Sequence, residues 1–226
     1  MKLIRFASAA LFTCLAFAAA ASAAPSCKTL VQRAAAIPAG TGPENHKLAA
    51  RSWEEAYAAC QGEQPGAPDR LAAVLGWVSH RIGSDPAAAE KIIRAEIEAV
   101  SAGDRDHAAL VDLHVELGSI LVLHGNYAEA LRANETALRL GEKLHGPKTI
   151  ATATLVLYVG RMHEIMNNLA VAETMYRQAI DTMKGICGLS CRDLPGAYMT
   201  LHNLVKTQPG REGDTKALEV ILDALP

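Results

Sequence analysis

Small side chains return along this chain every 42 residues. Gly76, Gly118 and Gly160 each follow an aliphatic residue (Leu75, Leu117, Val159), and the next step lands on Leu201-His202. Twelve residues after each glycine stands an alanine (Ala88, Ala130, Ala172), and seven further on another (Ala95, Ala137, Ala179). Larger apolar residues keep the same step: Leu71, Leu113 and Leu155 form one row, and Val78, Ile120, Met162 and Leu204 another. A period of this length marks a two-helix unit that buries its apolar face only against the next copy. Glycine inside an exposed helix costs about 1 kcal/mol relative to alanine. Three such sites forgo roughly 3 kcal/mol of a total stability of about 5–15 kcal/mol. Close approach of two helix backbones, with the larger rows filling the space between, offsets that loss.

Composition agrees with an all-α chain. Half of the residues are hydrophobic and only 4% aromatic, a balance that suits packed helices better than strands. The clearest copy runs from Asp112 to Lys143, two amphipathic helices joined at Gly125-Asn126. Apolar spacing and breakers predict helices at 69–82, 86–102, 106–124, 127–144, 148–166, 169–184, 195–207 and 214–225. Ser84-Asp85-Pro86 reads as a cap followed by proline in the first turn, Asn126 to Glu129 has capping-box spacing, and Gly103 and Gly146-Pro147 close the longer helices. Grouped by period, the units are 69–103, 104–146, 147–188 and 194–225.

Ahead of this array, residues 1–23 read as a cleavable signal peptide. Lys2 and Arg5 precede an apolar run that ends at Ala21-Ser22-Ala23, a small-x-small site with cleavage expected after Ala23. A membrane anchor needs about 18 or more apolar residues; Phe6 to Ala21 is shorter and carries Ser8, Thr13 and Cys14. The expected location is therefore periplasmic or secreted, with no stable membrane insertion after cleavage. Cleavage removes two basic residues and no acid, leaving 20 against 24 and a net charge of −4, which points away from nucleic acid or an anionic membrane. Cys27, Cys60, Cys187 and Cys191 remain, an even number in an oxidising compartment. Pairing Cys27 with Cys60 and Cys187 with Cys191 needs the least chain rearrangement, with other pairings open. Residues 24–61 form a capping helical hairpin, with helix candidates at 26–36 and 45–61 and an inward face of Leu48, Ala49, Ser52, Ala56, Ala59 and Cys60. Residues 62–68 form a Gly/Pro-rich linker to the array at 69–226.

Leu117-Gly118, the turn glycine before Tyr127, and the paired alanines together resemble the tetratricopeptide repeat, a helix-turn-helix whose usual length is 34 residues. The 42-residue step, with Gly125-Asn-Tyr-Ala-Glu-Ala-Leu131 and Gly141-Glu-Lys-Leu-His-Gly-Pro147, is similar to the longer variant of kinesin light chains. Helical repeats of the HEAT type share a similar period, but the Gly and Ala positions favour the tetratricopeptide kind. The likeness weakens over 195–225, where matching Ala217 and Ala224 needs three extra residues near Pro209-Gly210.

The resemblance implies helical hairpins stacked in a short right-handed superhelix, with the first helix of each pair lining a concave groove for a partner's peptide or helix. Carried over position by position, it selects Arg70, Ala73, Trp77 and Arg81; Asp112, Val115, Glu116 and Ser119; Thr154, Leu157, Tyr158 and Arg161; and Met199, Thr200, Asn203 and Lys206. Trp77, Tyr158 and Arg161 are the residue types that dominate binding hot spots, while packing between helices is the competing role for the two aromatics. The Lys and Asn with which part of the family holds a C-terminal carboxylate have no counterpart, since Ala73, Trp77 and Glu116 occupy those places.

No catalytic constellation is present, and neither a cofactor nor a metal is expected. The eight histidines include no His-Glu-x-x-His, and His107 and His114 share a face without a third ligand. Cys187-Gly-Leu-Ser-Cys191 has three intervening residues where a redox motif has two. The sequence thus reads as a non-catalytic, exported protein-binding module. The alternative is an envelope component that self-assembles by stacking its open array ends.

Overall fold

The computed structural model describes residues 24–38 and 43–225. The expected signal segment lies outside them. The described residues form ten α-helices: α1 (Cys27–Ala35), α2 (Pro43–Ala59), α3 (Pro68–Arg81), α4 (Pro86–Gly103), α5 (Ala109–Leu123), α6 (Tyr127–His145), α7 (Ile150–Ile165), α8 (Leu169–Cys187), α9 (Leu194–Lys206) and α10 (Glu212–Asp223). Single 3-10 turns at Cys60–Gly62 and Gly188–Ser190 extend α2 and α8.

Local chemistry sets these limits. Asp85 Oδ1 accepts from Ala88 N at 3.0 Å ahead of Pro86, and Thr149 accepts from Thr152 N at 3.2 Å to begin α7. The helix expected from 106 begins instead at Ala109, because Asp104 takes the Asp106 N–H (2.9 Å) and His107 Nδ1 that of Ala109 (3.1 Å), holding 104–108 in a turn. The capping box expected at Asn126 is absent. Asn126 makes no side-chain cap, and Glu129 reaches across to Arg94 at 2.7 Å. The turns between the helices of the second and third pairs do repeat: Gly125 has φ 75°, and 42 residues later Asn167 has φ 62°, a left-handed conformation that glycine and, among other residues, asparagine best tolerate.

Each helix packs on its neighbours in sequence, so the hairpins stack. One apolar cluster runs from α3 to α7 and a second from α7 to α10, while α1, α2 and the start of α3 share a third. Of the rows expected from the period, Leu113, Leu155, Val78, Ile120, Met162 and Leu204 are buried, while Leu71 is only half-buried.

Gly118 and Gly160 sit where α5 and α7 meet their own partner helices. A methyl at Gly118 would collide with the Asn134 amide of α6, and one at Gly160 would lie 2.7 Å from Cε1 of Tyr176 on α8. Ala130, Ala137, Ala172 and Ala179 are fully buried beside them. Ala130→Leu should therefore destabilise by about 1–3 kcal/mol through overpacking. An unchanged urea midpoint would show that α5 and α6 do not approach closely.

Gly76 departs from this pattern. Its closest neighbour is the Trp53 ring of the preceding helix α2, not α4. In α4 the buried residues are Ala89, Ile93, Glu96 and Val100, one place later than the period predicts, with Ala88 only partly buried and Ala95 exposed. Glu96 explains the slip. Its carboxylate is 4% exposed, accepts from Arg70 Nη2 at 2.7 Å, Arg70 Nε at 2.9 Å and Gly66 N at 3.2 Å, and holds a guanidinium that also donates to the carbonyls of Gln61 (3.2 Å) and Glu63 (2.9 Å). The Gly/Pro-rich stretch is thereby bound to α3 and α4. A buried carboxylate needs such partners, and α4 turns to supply them.

The hairpin α1–α2 also differs in detail: Leu48 and Ala59 point outward, while Ala49, Ala56 and Cys60 face in. At the far end His202 occupies the glycine position of the fourth unit and approaches Glu219 of α10 at 3.4 Å. Ala217 and Ala224 are exposed there, and Leu218 is the buried residue of α10. Arg211 joins this last pair to α8 through Glu173 (3.0 Å), and with Arg177 it holds the Glu173 carboxyl down at about 2.

Candidate binding groove

Side chains from α3, α5 and α7 enclose a cleft of about 710 Å³ on one side of the stack. Its floor and walls include Leu71, Val111, Val115, Ile150, Leu155 and Tyr158, with Asp112, Thr154, His107, His145 and Asp193 adding polar edges. A neighbouring cleft of about 410 Å³ shares Asp112 and Val115 and continues over Glu116, Trp53, Leu75, Gly76 and Ser79. Together they make a furrow across the first helices of three successive pairs, which is the place the period assigns to a concave face.

Helix geometry puts these groups together. Asp112, Val115 and Glu116 lie three and four residues apart and share one face of α5, opposite the buried Leu113, Leu117 and Ile120. Thr154 and Tyr158 occupy the matching face of α7, and the Tyr158 ring is 41% exposed. Desolvation pushes the carboxyls of Asp112 and Glu116 above the usual carboxylate range, because the surrounding protein displaces water that would favour the charged form.

Asp112, Val115, Thr154 and Tyr158 line the larger cleft and Glu116 the smaller. The remaining expected positions fall elsewhere. Leu157 packs partly buried against the second core. Ser119, Arg161, Met199, Asn203 and Lys206 are exposed and Thr200 is half-buried, all outside the two clefts.

In the first unit the expected set turns away from the groove. Arg70 is committed to Glu96, and Ala73 is fully buried in the cluster shared with α1 and α2. Trp77, 8% exposed, packs on Tyr57 with ring centroids 5.4 Å apart and carries Arg81 over its face at 5.4 Å, and Arg81 in turn pairs with Glu54. The α1–α2 hairpin leans on α3 and fixes its rotation, so Leu71, Leu75 and Ser79 take the groove-facing places. Sequence reasoning missed them because the rotation depends on the hairpin, which lies outside the repeat.

His107 lies under Gly66 with its Nδ1 engaged by Ala109 N, while burial, with Arg139 nearby, pushes the His114 imidazole down from its ordinary value. Among the described residues no three His, Cys, Asp or Glu side chains gather as metal ligands would. Cys27 and Cys60 stand 4.8 Å apart at Cα, and Cys187 and Cys191 5.3 Å, both within the span a disulfide bridges.

The sequence profile of the tetratricopeptide repeat matches residues 108–185. No curated protein matches the chain. Among solved structures, the putative kinesin light chain of Podosopora anserina, with nearly identical TPR-like repeats, superposes with a TM-score of 0.68 at 12% identity, over 88% of this chain and 93% of that one. A single-substitution variant of the same protein gives 0.70 at the same identity and coverage. BtubC (BKLC) from P. vanneervenii gives 0.62 at 15% identity, over 79% of this chain and 71% of that one. With the helix pairs, the glycine contacts of α5 and α7 and the profile match all in the same segment, residues 108–185 carry tetratricopeptide repeats, and the chain has a fold similar to that of the TPR-like kinesin light chain repeats.

Proposed function

We propose that the protein is an exported, non-catalytic adaptor that captures a peptide or helix of a protein partner in the furrow across α3, α5 and α7. The observation that carries this reading is the exposed Tyr158 ring set in a cleft of about 710 Å³ that is walled by aliphatic side chains. A large aromatic at the centre of a mostly apolar concavity is how such interfaces anchor a guest.

Export is supported by the leader pattern of residues 1–23 and by two cysteine pairs at bonding distance. We infer that both pairs are disulfides. Cys27–Cys60 closes a separation of 33 residues and ties α1 to the end of α2; cross-links of this span contribute about 2–4 kcal/mol. Reducing agent should lower the melting temperature, and equal melts with and without it would remove the disulfide claim. Among the described residues no helix is long and apolar enough to cross a membrane.

The groove is tested with a photo-crosslinking amino acid at Tyr158, compared with the same group at the exposed Arg132 on α6, in an envelope extract. Covalent adducts with a second protein from position 158 and none from 132 are expected. Equal adducts from both positions, or none from 158, would reject the groove. Adducts of position 158 with further copies of this chain would favour the self-assembling role.

A further inference from the structure

The two clefts are lined by three carboxylates, Asp112, Glu116 and Asp193, and by no lysine or arginine. None of the three carboxylates has a hydrogen-bonding or ion-pairing side chain among the described residues. Some acids outside the clefts do have cations at hand: Glu90 with Arg94, Asp106 with Lys143, Glu173 with Arg177 and Arg211. What sets the groove apart is that these carboxylates stand beside concave apolar surface with no lysine or arginine in the lining. Desolvation raises the carboxyls of Asp112 and Glu116, so a cation brought to them relieves a cost built into the groove. The basic residues that the repeat pattern would place along the same face, Arg161 and Lys206, lie outside both clefts.

We propose that the groove's occupant is a cationic, amphipathic segment of a partner protein: lysine or arginine side chains settle against Asp112, Glu116 and Asp193, and intervening apolar side chains lie on Leu71, Val115 and Tyr158. This rests on the groove reading above and adds the chemistry of the guest. A nucleic acid is excluded by the sign of the groove, and an acidic peptide would bring like charges into a partly dry cleft.

The probes are three fluorescein-labelled twelve-residue peptides in which leucine alternates with lysine, glutamine or glutamate. Binding to the purified protein is read by fluorescence anisotropy. The lysine peptide should bind most tightly, and D112N/E116Q should weaken it by roughly 10-fold, the sum of two partly exposed ion pairs. E135Q/E142Q, which removes the same charge from the exposed side of α6, should leave it unchanged. Equal weakening by both double variants would overturn the proposal, since it would show attraction to net charge alone. Tight binding of the glutamine or glutamate peptide, lost with Tyr158→Ala but indifferent to D112N/E116Q, would overturn the cationic guest and leave the groove standing. If Tyr158→Ala affects none of the three peptides, the groove itself fails and this inference with it.

Discussion

Glu96→Ala should destabilise the protein by about 3–5 kcal/mol, the range for removing one partner of a buried ion pair. The substitution strands the Arg70 guanidinium, which is 15% exposed and otherwise held only by the carbonyls of Gln61 and Glu63. It also leaves the Gly66 N–H without its acceptor. The loss should appear as a lower urea midpoint. Replacing both partners together, Arg70→Met with Glu96→Leu, should recover much of the stability, because apolar groups of similar volume often substitute for a buried pair at little or no cost. If Glu96→Ala unfolds within about 1 kcal/mol of the parent, below the range expected for such a pair, then Glu96 does not fix the rotation of α4.

Trp77→Ala should be nearly as damaging, at about 3–5 kcal/mol for a buried tryptophan. The ring packs against Tyr57 of α2 and beneath Arg81, within the apolar cluster that starts at α3. Arg81 would lose its aromatic support and the Glu54 pair its alignment. The sequence pattern assigns Trp77 to partner capture; its burial assigns it to the joint between the capping hairpin and the array. Unfolding by denaturant separates the two roles: a normal midpoint together with lost partner binding would return Trp77 to the groove.

How much of this was legible beforehand depended on whether a residue obeys the period. The helices fall within about three residues of their expected limits, because apolar spacing, prolines and turn glycines act locally. Gly118, Gly160 and the four buried alanines were readable because two consecutive units share one packing solution. Asp112, Val115, Thr154 and Tyr158 follow for the same reason, being carried by α5 and α7. The first unit was not readable in this way. Glu96 occupies a core position that a periodic reading fills with a small residue, and its partner Arg70 stands 26 residues earlier on another helix. Ala73 and Trp77 turn inward because α1 and α2 press on α3, with α1 packed on α3 more closely than any later first helix is on the next. In the last unit His202 replaces the small residue, so the close approach of the second and third pairs is not repeated.

The one-place slip of α4 also limits which parts of such a chain can be exchanged. Each residue turns a helix by about 100°, so a copy of α6 set in place of α4 at the 42-residue step would present its alanine-bearing side out of line and bring no carboxylate to Arg70. α6 and α8 keep one register, Ala130 and Ala137 matching Ala172 and Ala179. Exchange of parts is therefore open between the second and third pairs and closed at the first, which is cut to serve as a starting end.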